Sequence, residues 1–148
     1  MGDRIMIERN KIKEALNNGM MVHTKGYVYI GYYGNCRKYG CIKCGSTGNI
    51  KLRLKQLFGL KPIAIAEFDY ISQPDLLKIE SDIRVELSQD FVHFGNDHFA
   101  YLINGNYNTP NNVWMIQTLV EDWIEDSVKH LETKSPNTYY NYTIHYGK

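Results

Sequence analysis

At 148 residues, with 43% hydrophobic and 22% charged side chains, the chain is long enough for one domain with its own core and short for two. No apolar run approaches the roughly 20 residues of a membrane-spanning helix, so a spanning helix is excluded and no membrane partner is expected. The formal net charge of +1 excludes a chain that is basic or acidic throughout, yet positions 34–62 carry Arg37, Lys38, Lys43, Lys51, Arg53, Lys55 and Lys61 with no Asp or Glu.

The first segment, MGDRIMIERNKIKEALNNG, is charged and has helical periodicity over 4–17, with Ile5, Ile7, Ile12 and Leu16 as its apolar positions. It lacks the apolar stretch and small-residue cleavage site of a secretory signal. Cys36, Cys41 and Cys44 are an odd set within nine positions, which suits a reducing compartment. Together these features predict an intracellular protein, cytoplasmic or nuclear.

Tyr27 to Tyr33 is rich in aromatic and β-branched residues and reads as a strand, followed by a turn at Gly34 and Asn35 and a return strand near Cys41 to Gly45. Ser46-Thr47-Gly48-Asn49 is a cluster of capping residues, and IKLRLKQLF after it reads as a short helix with Ile50, Leu54, Leu57 and Phe58 on one face. Residues 63–71 read as a third strand with Ile63, Ile65 and Phe68 turned inward. Pro74 opens a helix whose inward line runs Leu76, Glu80, Ile83 and Leu87. Residues 91–109 read as a loop. From Pro110 to Leu131 an amphipathic helix is predicted to cover the sheet or to form a dimer face, and the tail SPNTYYNYTIHYGK reads as a late edge strand or an arm.

Glu80 stands out because an unpaired buried carboxylate is costly, so a cation must face it. Arg84, one turn on, is the plain partner, and a metal ion is the other. The three cysteines with a distant histidine could supply four zinc ligands. Their spacings straddle the predicted hairpin, and no later Cys or His pair matches, so buried cysteines are the favoured reading. His93 and His98 are loop histidines that could line a groove.

Val28-Tyr29-Ile30, then Lys43-Cys44-Gly45-Ser46-Thr47, Asn49 and Arg53, resemble the motifs of the GIY-YIG nuclease superfamily. The resemblance is closest to the subgroup of phages and large DNA viruses in which Lys-x-Gly replaces Tyr-x-Gly. It covers roughly residues 25–102, up to His98-Phe99, and leaves 1–24 as an N-terminal helical extension and 103–148 as a C-terminal helix and aromatic tail. It implies an α+β fold, a small three-stranded antiparallel sheet flanked by helices, here with the extra N-terminal helix and the long C-terminal one. The implied activity is hydrolysis of DNA phosphodiester bonds by a metal-dependent endonuclease, in the host cell if the protein is viral. The implied site is Tyr29, Lys43, Arg53 and Glu80, with Glu80 holding one Mg²⁺ or Mn²⁺. Gly26 is displaced by one position from the usual Gly-x-Tyr, Lys43 takes the second tyrosine's place, and Ser46 and Leu57 stand where lysine and His or Tyr are common.

Phosphodiester hydrolysis needs an activated water, charge stabilisation on the transition state and help for the leaving oxygen. Arg53 can offer two donors to the phosphate oxygens, and Glu80 is an acceptor suited to a hard cation. Tyr29 is a candidate proton acceptor or water positioner; a free phenol titrates near ~10, so it needs a neighbouring cation to ionise. Lys43 is that cation, or the base itself if desolvated. Arg37, Lys38, Lys51 and Lys55, with Tyr39 and Asn49, form the expected nucleic-acid surface, where tyrosines can stack on unpaired bases. A small single domain would cut both strands as a homodimer or in two visits. The alternative is a module of the same fold that binds nucleic acid or a protein without cutting.

Overall fold

The computed structural model describes residues 19, 21–33, 42–90, 92–94, 98–103, 106–108, 116–134 and 139–147. The helix expected over 4–17, the turn at Gly34 and Asn35, and Arg37, Lys38, Tyr39, Cys36 and Cys41 lie outside them. Among the described residues the fold is α+β. The strands are β1 (Val22–Tyr33), β2 (Ile42–Thr47), β3 (Leu60–Ser72), β4 (Val92–Phe94), β5 (His98–Ile103), β6 (Asn106–Asn108) and β7 (Tyr142–Tyr146). The helices are α1 (Ile50–Gln56), α2 (Gln73–Asp90) and α3 (Ile116–Lys134).

Strand β1 is the hub. It pairs antiparallel with β2 on one side and with β3 on the other, and the sheet order is β4-β5-β2-β1-β3-β7, with β6 joined to β5. The three strands expected from sequence are therefore the centre of a wider sheet. Residues 91–109, expected as a loop, contain β4, β5 and β6; β4 and β6 are three residues each, too short for an alternating pattern to register, and β5 finds its partner far back in the chain, at Ile42 and Lys43. The tail takes the edge-strand option, with Tyr142 opposite Phe68 and their rings tilted 5.5 Å apart.

Alternation along the strands sorts their side chains onto two faces. Val28, Ile30, Ile42, Cys44, Ala64, Ala66 and Phe68 line the first, and the apolar stripes of α2 (Leu76, Ile79, Ile83, Leu87) and α3 (Ile116, Val120, Ile124, Val128) join them in one buried core. Gly26 allows α2 to approach: a Cβ there would lie within 3.2 Å of Leu76 Cδ2. A register shift after Ile30 marks a bulge where Ile63 intervenes between the Gly31–Pro62 and Ile30–Ala64 pairs. That extra residue puts Ile63 in the core, and Ile65, expected inward, faces the other side and is half-buried. No described helix is long and apolar enough to cross a membrane.

Candidate functional site

The second face of the sheet carries the polar and aromatic positions. In β1 these are Lys25, Tyr27, Tyr29 and Gly31; across the ladder they meet Asp69, Glu67, Ile65 and Pro62 of β3, and Thr47, Gly45 and Lys43 of β2 face the last three of β1. Tyr29 is 1% exposed although it is outside the apolar core cluster. Its ring lies over Gly45, where a Cβ would sit 2.6 Å from the Tyr29 Cζ. Glycine at the second motif is thus a packing requirement for the tyrosine of the first.

Helix α1 delivers the arginine to the same place. Asn49 caps it by accepting from the Leu52 amide at 3.1 Å, and the Thr47 hydroxyl accepts from the Asn49 amide at 3.1 Å, which fixes the step from β2 into the helix. One turn in, Arg53 Nη1 donates to Tyr29 Oη at 3.5 Å, a long bond that a closer acceptor would displace. The Arg53 guanidinium is only partly covered, and Lys51 and Lys55 are exposed beside it. No acidic residue occupies the first turn of α1. Lys43 is buried at the position opposite Gly31, diagonal to Tyr29 on one face, and its register in β5 is His98.

Glu80 takes the partner that helical spacing offered. Its carboxylate is buried and paired with the Arg84 guanidinium, whose Nε has no partner and is itself out of water. Three of the four expected site residues therefore share the second face, whereas Glu80 rides on α2, whose apolar stripe packs on the first face. The described contacts of Glu80 do not reach Tyr29 or Arg53. The reason is that Leu76, Ile79, Ile83 and Leu87 set the helix's orientation, and Glu80 flanks that line. A hard carboxylate oxygen suits Mg²⁺ or Mn²⁺, and such ions often take one protein carboxylate with phosphates and waters. Among the described residues no cluster of three or more His, Cys, Asp or Glu side chains is placed to hold a metal.

Sequence reasoning passed over Glu67 and Asp69, which stand on the Tyr29 face and pair with Lys25. The Tyr27 phenol beside them is pushed above its ordinary range, first by burial and then by the Glu67 charge, so it holds its proton. Strict alternation with Ala64, Ala66 and Phe68 was the signal for this row. Phe58, expected on the inner line of the helix, is 94% exposed, because α1 ends at Gln56 and the Leu57 cap leaves helical geometry (φ −96°, ψ 65°) before the next turn. Cys44 is buried in the core strand, within the apolar cluster.

Comparison with known proteins gives no match: no family model, no curated protein and no solved structure matches the chain.

Proposed function

We propose that the protein is a metal-dependent endonuclease of the GIY-YIG type, acting on DNA. The observation that carries this reading is the meeting of Arg53 with the buried Tyr29 over Gly45, on a helix whose other charges are Lys51 and Lys55. A strand tyrosine that only packed against its neighbours would need neither a glycine beneath it nor a guanidinium at its hydroxyl. In this reading a phosphate oxygen replaces Tyr29 Oη as the acceptor of Arg53, and two guanidinium donors meet the charge that builds in the transition state. The released phenol then positions the attacking water, with Lys43 supplying the cationic surroundings that favour its ionised form. Glu80 would hold the divalent ion, whose contribution when bound is to neutralise the leaving 3′ oxygen; its helix packs on the face opposite Tyr29, so this role requires the carboxylate to be brought round to the phosphate. Arg84 competes for that carboxylate, so the ion must outbid an intrahelical pair that is already formed.

The Glu80–Arg84 pair also supports the second reading, a binding module of the same fold that does not cut. Supercoiled plasmid with Mg²⁺ or Mn²⁺ separates the two. The nuclease reading expects nicking that falls about 100-fold or more in Arg53→Ala, the size of loss seen when a transition-state donor is removed. Plasmid that is bound but not nicked at any metal concentration, or nicked equally by Arg53→Ala and Glu80→Gln, would leave the binding module.

A further inference from the structure

Helix α1 has seven residues and buries none of their side chains. So short a helix is marginal by itself, and this one is held by the Asn49 cap and the Arg53–Tyr29 contact rather than by a buried apolar face. Its apolar side chains are left in water. Leu52 is 51% exposed, and Phe58, in the turn that closes the helix, is 94% exposed. The Leu57 carbonyl accepts from the Leu60 amide at 3.0 Å and Gly59 has a φ of 85°, so Phe58 is the second residue of a turn with the type II pattern, where proline or a polar residue would serve the chain as well. Both ends of that turn are fixed. The Leu57 amide donates to the Arg53 carbonyl at 3.0 Å, and Leu60 packs on β1, its Cγ 2.7 Å from where a Cβ of Gly31 would lie. The ring is thus presented on a rigid base, and little ordering is needed when it is covered. A single exposed apolar residue is ordinary on a protein surface, and it is the company of Phe58 that gives it meaning. Lys51, Arg53 and Lys55 are the charges of α1, and positions 34–62 hold no Asp or Glu. A ring beside a row of cations is complementary to a nucleic-acid strand, which offers phosphates to the cations and flat base faces to the ring.

We infer that Phe58 is a base-stacking residue, and that the strand whose phosphate meets Arg53 lays a nucleobase on the Phe58 ring. The inference takes from the nuclease and the binding-module readings alike only that DNA lies along α1. Phe58 follows Arg53 by five residues, roughly 7 Å at helical rise, and a strand of duplex DNA advances about 3.4 Å per nucleotide, so the stacked base belongs within a few nucleotides of the held phosphate. In a duplex the ring reaches a base face only as a wedge that parts two stacked pairs, which favours bent or unpaired DNA.

The test measures binding of a fluorescently labelled single-stranded oligonucleotide by anisotropy over a range of salt, with EDTA present so that no cutting occurs. Phe58→Ala should lower affinity on the order of tenfold at every salt concentration, and leave the slope of log affinity against log salt unchanged, because no phosphate contact is removed. Lys55→Ala should flatten that slope. Phe58→Trp should keep the affinity, and its added tryptophan emission should be quenched on binding beyond any change in the unaltered protein. Since the side chain lies outside the core, the Phe58 variants should keep the urea midpoint of the unaltered protein. Unchanged affinity in Phe58→Ala, equal losses in Phe58→Ala and Phe58→Trp, a tryptophan that is not quenched, or no DNA binding by the unaltered protein would overturn the inference. So would a DNA-free oligomer that Phe58→Ala dissociates, which would assign the ring to a protein interface. Plasmid nicking keeps the readings apart: nicking by a protein whose binding ignores Phe58 spares the nuclease and removes the stacking residue, whereas stacking without nicking does the reverse.

Discussion

Substituting Gly45 by alanine would set a methyl group against the Tyr29 ring, and that ring has little room to retreat because it is buried. Overpacking of this kind costs about 1–3 kcal/mol, so urea unfolding of Gly45→Ala should show a lowered midpoint with an unchanged slope. An unaltered midpoint would mean that Tyr29 does not depend on the glycine. Glu80→Gln behaves differently from Glu80→Ala. The amide keeps an acceptor for Arg84 but loses the charge, while alanine removes the carboxylate partner of a half-buried guanidinium that is already short of one partner at Nε. We expect Glu80→Ala to be about 2–3 kcal/mol less stable than the unaltered protein and Glu80→Gln to lie between them, measured by thermal or urea unfolding. Activity comparisons at this position therefore belong with the glutamine variant.

At the scale of elements, the C-terminal strand is tied down from both sides. The Gln117 side chain donates to the carbonyls of Ile63 and Gly147 at 2.8 Å each, and the Tyr140 hydroxyl donates to the Asp75 carboxylate at the start of α2. Removing residues 139–148 would expose the outer edge of β3, whose unpaired backbone groups are a template for association. Size-exclusion chromatography should show the shortened chain as oligomers or aggregate, and a clean monomer would contradict the assignment of β7 as a protecting edge. The elements differ in how readable they were. The stretches that form β1, β2, α1, β3, α2 and α3 all showed their type in periodicity and capping residues. Ile65 was misread because the bulge at Ile63 breaks the two-residue alternation, and Phe58 because the helix ends at Gln56, two residues before the apolar periodicity does. Three-residue strands such as β4 and β6 hold too few positions to show a period. The candidate site was legible at Tyr29, Gly45 and Arg53, which local motif spacing ties together. The pairing of His145 with Ile65 was not, because it spans 80 positions of chain, and neither was the Tyr140–Asp75 bond, across 65.

For the whole molecule, the tyrosines set the response to alkaline pH. Tyr140 is raised strongly above the ordinary phenol value, first by burial and then by its bond to Asp75, while Tyr27 and Tyr142 are raised by burial first and neighbouring glutamates second. In the folded state these phenols keep their protons to higher pH than in the unfolded chain. Above the unfolded value near ~10 the native state therefore binds more protons, and stability falls as pH rises; below it the contribution is intact. Melting temperatures should be flat through neutral pH in this respect and decline from about pH 10 upward. Tyr140→Phe should melt lower near neutrality, by roughly 1 kcal/mol for the lost bond to Asp75, and decline less steeply above pH 10. Parallel declines in the two proteins would assign the alkaline transition to other groups.

The order β4-β5-β2-β1-β3-β7 also sets a timetable. β3 finishes at Ser72 and its outer neighbour begins at Tyr142, 70 positions later. At roughly 5–20 residues per second of synthesis, the flank of β3 waits about 4–14 seconds for its cover while β1 already holds its other side. During that interval a nascent chain presents LKPIAIAEFDYIS with half of its hydrogen-bonding groups unclaimed, and two chains on one messenger are close enough to claim them from each other. Expression yield should therefore depend on growth temperature and chaperone supply more than the stability of the finished protein would suggest.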